Sequence, residues 1–140
     1  MNGIATLFRR FGRFNLVGAL GTVLQLAILA VLTKGFGLSS VASTPIAVEL
    51  VLLHNFFWHE RFTWNDRRAD GTASPGIRLW RFHAANGVVS LCGNTLLMYC
   101  LVERLRLPMG PSALGAISLC ALVNFQVADR WVYASGSSAR

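Results

Sequence analysis

The apolar residues of this chain neither alternate nor keep to one helical face. They fall into four nearly continuous runs, Phe14 to Leu32, Val41 to Trp58, Phe82 to Val102 and Ser112 to Ala128. Each is long enough to span, or nearly span, a hydrocarbon layer of roughly 30 Å at about 1.5 Å per helical residue. Among Asp, Glu, Lys and Arg, only Glu49 lies inside a run. Polar stretches separate the runs at Thr33 to Ser40, His59 to Arg81 and Glu103 to Pro111. Pro45 and Pro111 are expected in the first turns of the second and fourth helices, where a missing N–H is cheapest. Asn65 to Gly76, rich in Gly, Asp, Thr and Ser, reads as a flexible loop. Arginines precede the first run, but its length and the lack of a small-residue cleavage site argue for a retained helix and against a signal peptide.

Composition makes the membrane reading compulsory. Of 140 residues, 54% are apolar and 14% charged, whereas soluble domains carry roughly 25% charged residues. With a mean hydropathy of +0.49, a single domain of this size cannot hide its apolar surface from water. The net charge of +7 then describes topology and not a nucleic-acid footprint, because the basic residues lie between spans. Ten Lys and Arg residues belong with the amino terminus, the central loop and the carboxyl terminus, and three (Lys34, Arg104, Arg106) with the opposite side. The excess places both termini in the cytoplasm. Trp58, Trp64, Trp80 and Trp131 lie near the same boundary, as an interfacial belt would. Cys92, Cys100 and Cys120 have no metal-ligand spacing and read as small buried hydrophobes. No metal, cofactor or catalytic residue is expected, since no H-E-x-x-H, carboxylate pair or nucleophile elbow is present.

The chain also repeats. Shifting it by 69 residues aligns Asn55-Phe56 and Glu60 to Trp64 with Asn124-Phe125 and Asp129 to Tyr133. Ala47, Leu50 and Leu53 then meet Ala116, Leu119 and Leu122, while Gly18, Gly21 and Gln25 meet Gly87, Ser90 and Asn94. Arg13-Phe14 matches Arg81-Phe82 after a one-residue slip. The expected fold is all-α, a polytopic membrane protein of four transmembrane helices in one domain, arranged as two tandem helical hairpins. Unit one runs over 13–64 and unit two over 81–133, joined by a cytoplasmic loop at 65–80. Both units have the same topology, a parallel repeat of the kind transporters use.

Polar side chains inside a span normally face protein or a cavity. Gln25, Ser90 and Asn94 read equally well as helix glue or as a midplane lining, and the nearby glycines as close-packing positions. Glu49 is the sharpest signal. A buried carboxyl at that depth is by default functional, as a proton-coupling or substrate-sensing group, against a bland reading as a protonated hydrogen-bonding partner. At the cytoplasmic ends, Asn55, His59 and Arg61 from one unit are expected to approach Asn124 and Arg130 from the other. Two guanidiniums and two amides suit a phosphate or pyrophosphate, although each arginine also reads as a topology anchor paired with Glu60 or Asp129.

These residues resemble the GtrA-like family of small four-helix membrane proteins. The likeness rests on R-F-x-x-V-G at Arg13, Phe14, Val17 and Gly18, on H-N-F-F-W-H-E-R-F-T-W from His54 to Trp64, and on N-F with D-R-W-V-Y at Asn124, Phe125 and Asp129 to Tyr133. It implies a non-enzymatic flippase for a polyprenyl-phosphate-linked monosaccharide in the bacterial cytoplasmic (inner) membrane, serving cell-surface polysaccharide modification. A membrane glycosyltransferase would supply the lipid-linked sugar. On that reading Arg61 and Arg130 capture the phosphate while Gln25, Asn94 and Glu49 line the sugar's path. Two other classes fit the residues: a small multidrug-type exporter using Glu49, and a non-transporting membrane partner of a glycosyltransferase. Four helices enclose little volume, so a homo-oligomer is expected for either transport reading.

Overall fold

The computed structural model describes residues 3–68 and 73–134. Arg140, counted in the topology argument above, lies outside them, as do both chain ends and residues 69–72 of the central loop. The fold is all-α, with no strand among the described residues. Its α-helices are α1 (Gly3–Ala30), α2 (Ser40–Trp58), α3 (Asn65–Arg68), α4 (Pro75–Gly87), α5 (Asn94–Met98) and α6 (Met109–Val127). Wider π-helical turns at Val31–Gly35, His59–Thr63, Val88–Gly93, Tyr99–Arg104 and Ala128–Val132 prolong or join them. Among the described residues, four helical stretches are long and apolar enough to cross a membrane: Ile4–Gly35, Val41–Thr63, Pro75–Arg104 and Met109–Val132. The chain is a multi-pass membrane protein.

All four stretches outrun the apolar runs at the arginine-bearing end. Hydropathy marks where a helix leaves hydrocarbon, whereas the hydrogen-bonded ladder continues into the polar layer. The central loop is correspondingly shorter than 65–80. Its first residues form α3, and Ser74 starts α4 by accepting from the Ile77 N–H at 3.4 Å, with Pro75 at the first helical position. Ser39 likewise caps α2 by accepting from the Ala42 N–H. That early start puts Pro45 in the second turn, inside the helix and not in its first turn as expected.

The chain divides into two compact units, Met1–Arg68 and Ala69–Arg140. In unit one α1 packs on α2. The α2 side of that contact is a row at every fourth residue, Ser43, Ala47, Val51, Asn55 and His59, in which Ser43, Ala47, Val51 and His59 are buried. Residues four apart form one ridge of a helix, and small side chains on it let backbones approach without any hydrophobic driving force in lipid. In unit two α6 carries the corresponding row, Ser112, Ala116, Cys120, Asn124 and Ala128, packed on α5 and the Val88–Gly93 turn. Apolar residues off these rows, such as Leu26, Val41, Leu96 and Leu114, are exposed as lipid-facing residues must be. Glycine contributes less than expected. A Cβ on Gly21 would overlap the Asn55 amide, with Nδ2 2.8 Å away, but a Cβ on Gly18 or Gly87 would meet no atom of another element within 4 Å among the described residues.

Local geometry recurs between the units at a spacing of 69 residues. The Trp64 N–H donates to His59 O at 2.9 Å, and Tyr133 to Ala128 O at 2.9 Å. Leu38 donates to Leu32 O, and Leu107 to Leu101 O, each at 3.0 Å. Both turnings pass through a left-handed residue, Gly37 at φ 69° and Arg106 at φ 53°.

Candidate functional site

The polar groups of each unit gather where its second long helix ends in a π turn. In unit one, His59 is 2% exposed and stacks on Phe14 with centroids 4.9 Å apart. Trp64 meets the His59 ring edge-on at 5.2 Å, and Thr63 Oγ1 lies 3.1 Å from Nδ1. Trp64 is fully buried, so it belongs to this core and not to an interfacial belt; Trp58, Trp80 and Trp131 are the exposed ones. His59 is therefore a packed residue and does not line an open entrance. The i, i+4 spacing did place Asn55 and His59 on one face, and that face is the one turned to α1.

Asn55 abuts Gly21. In unit two the Asn124 Nδ2 donates to Ser90 Oγ at 3.2 Å, while its Oδ1 is buried with no hydrogen-bond partner among the described residues. Both asparagines thus join helices within their own units. Ser90 is the acceptor in that contact. Asn94 has a buried Oδ1 with no hydrogen-bond partner among the described residues, and Gln25 is half-buried.

Glu49 departs most from expectation. It is exposed and not buried. Ala47 faces α1, and two residues further on, about 200° around the helix, the side chain points to the opposite side. The arginines, two residues beyond buried positions in the wider π turns, also point away from the packed side. Arg61 follows His59 by two residues and is exposed, its guanidinium 4.0 Å over the Phe57 ring. Arg130 follows Ala128 by two and is exposed as well.

Four arginines that the sequence marked only as topology, repeat or motif residues are tied into protein. Arg13 Nη1 donates to Phe62 O at 2.9 Å, with its guanidinium 4.7 Å over the Phe62 ring. Arg81 does the same to Trp131, 3.3 Å to the carbonyl and 5.7 Å over the ring. One turn earlier, Arg10 pairs with Asp66, and the buried Arg78 donates to Ala73 O. The signal was present as R-x-x-R-F at both 10–14 and 78–82.

Unit two also holds an apolar groove of about 340 Å³ between the Val88–Gly93 turn, α5 and α6, floored by Gly93 and Cys120 and walled by Leu96, Leu119 and Val123. Cys92 and Cys100 are exposed, contrary to the reading of all three cysteines as buried, and Cys120 is buried. No group of three metal-ligating side chains occurs among the described residues.

Residues 13–133, which include the Arg13 and Arg81 contacts and both rows spaced at every fourth residue, match the family model for the GtrA/DPMS transmembrane domain. The chain belongs to the GtrA/DPMS family. Family membership connects it, as a membrane protein, with lipid-linked sugar translocation. No curated protein matches it.

Proposed function

We propose that this GtrA/DPMS-family protein is a flippase that carries a polyprenyl-phosphate-linked monosaccharide from the cytoplasmic to the outer leaflet of a bacterial inner membrane. It makes and breaks no covalent bond. The carrying observation is a division of labour among arginines. In each unit the first-helix arginine is spent on protein, whereas the arginine of the π turn, Arg61 or Arg130, is exposed. A planar, permanently charged guanidinium at a membrane boundary suits a lipid phosphate. Gln25 and Asn94 offer amides for sugar hydroxyls, Ser90 serves through its bond to Asn124, and Glu49 offers a carboxylic group on the lipid-facing side of α2. Exposed apolar surface, including the groove at Gly93 and Cys120, gives a branched isoprenoid tail a track. A membrane glycosyltransferase supplies the substrate, and a homo-oligomer provides the enclosure one chain lacks.

The test is flipping of a lipid-linked sugar by the purified protein in vesicles. Arg61→Ala with Arg130→Ala should slow transport at least about 10-fold, the scale of a lost charge-assisted contact. An undiminished rate in that double variant removes phosphate capture. Glu49→Gln probes proton coupling separately, because a pH–rate profile identical to wild type would leave Glu49 a pathway residue at most.

A further inference from the structure

The geometry points to Arg13 and Arg81 as positioning residues, which fix the π turns carrying Arg61 and Arg130 and so set how each exposed guanidinium meets a lipid phosphate. This rests on the phosphate-capture reading above. Helix ends leave carbonyls without partners inside the helix, and a cation there is also favoured by the helix dipole. Arg13 supplies both to the end of the second helix in unit one. It binds the carbonyl of Phe62 and covers its ring, and Phe62 is the residue next to Arg61. Arg81 does the same in unit two at Trp131, next to Arg130. The turn so clamped is a π turn in both units, His59–Thr63 and Ala128–Val132. One extra residue per turn changes the direction in which the following side chains leave the helix, so the orientation of residue 61 or 130 depends on the turn being held. A carbonyl bond combined with a ring contact holds that turn at two points, more than a topology anchor requires.

The measurement is a double-mutant cycle in the vesicle assay, with initial rates taken against the mole fraction of lipid-linked sugar. Arg13→Ala should raise KM about 10-fold with kcat within about twofold, the effect of one misdirected charged contact. Arg13→Ala added to Arg61→Ala should do no further harm, because Arg13 acts through Arg61. Arg13→Lys, which keeps the charge and a donor but loses the planar stack, should fall between. The Arg81 and Arg130 pair should behave alike. Hydrogen exchange supplies a readout independent of transport. The Trp64 amide, bonded to His59 O, should lose protection in Arg13→Ala while amides in the middle of α2 keep theirs. Multiplicative effects of Arg13→Ala and Arg61→Ala, or full protection at Trp64 in Arg13→Ala, overturn the positioning role. A wild-type KM in Arg61→Ala alone strikes down phosphate capture instead, and the exchange at Trp64 then decides whether Arg13 fixes the turn at all. Should Arg13→Ala fail to fold, Arg13→Lys carries the same cycle.

Discussion

Asp66 shows how little of a charged contact at this surface is Coulomb energy alone. Partial burial pushes its carboxyl pKa up, but the hydrogen bond and charge of Arg10, then its own backbone N–H and the charge of Arg67, outweigh that and hold it below 3.8. A carboxyl whose pKa is depressed on folding contributes stability above its unfolded pKa of about 3.9 and loses it as pH falls through the folded value. The Arg10 contact should therefore be intact at pH 7 and fade below about pH 4. With the Asp66 side chain 53% exposed, the loss should stay under about 1 kcal/mol. The check is the difference in thermal midpoint between the protein and Asp66→Asn in detergent. It should be positive at pH 7 and smaller at pH 3, and a difference constant with pH would show that the ion pair contributes nothing.

At the scale of helices, the repeat explains a feature that looks irregular in either unit alone. Val17 and Ala85 are buried equivalents 68 residues apart, whereas Gly21 and Ser90, which face Asn55 and Asn124, are 69 apart. Unit two has one residue more between these points. An α-helix would turn Ser90 about 100° away from Asn124, but the π turn at Val88–Gly93 absorbs the extra residue. The slip was legible in the alignment of Arg13-Phe14 with Arg81-Phe82, yet nothing in the residues said where the helix would accommodate it. The four spans were legible for a simpler reason, since lipid permits little besides long apolar helices. Which face each polar residue takes was not, because Asn55 and Glu49 sit in a run apolar all round and His59 follows directly on its end. The discriminating pattern was the small-residue row from Ser43 to His59, and polarity hides it. Deleting Val88 should turn the π turn into α-helix and keep both flanking registers. Its midpoint should drop less than that of a deletion at Ile117, which rotates every contact beyond it in α6. Equal losses from the two deletions would count against the insertion account.

For the whole molecule, an even number of spans would return the chain to the side on which it started, and the positive-inside rule predicts which side that is. Ten Lys and Arg residues fall on the side of the termini and central loop against three at the turnings near Gly37 and Arg106. The contacts inside the units do not erase that bias. Arg10, Arg13, Arg78 and Arg81 are bound to protein but keep their charge, so the count of ten against three stands. If the positive-inside bias sets the orientation, the π turns carrying Arg61 and Arg130 face the cytoplasm, the side from which the proposed flippase would load. Single cysteines at Leu38 and Leu107, in a background with Cys92, Cys100 and Cys120 replaced by serine or alanine, should react with a membrane-impermeant maleimide added outside intact cells or spheroplasts. A cysteine at Asn65 should react only after permeabilisation. Labelling of Asn65 from outside would invert the topology, placing both arginines at the exit and requiring the phosphate to be released where it is now said to be captured.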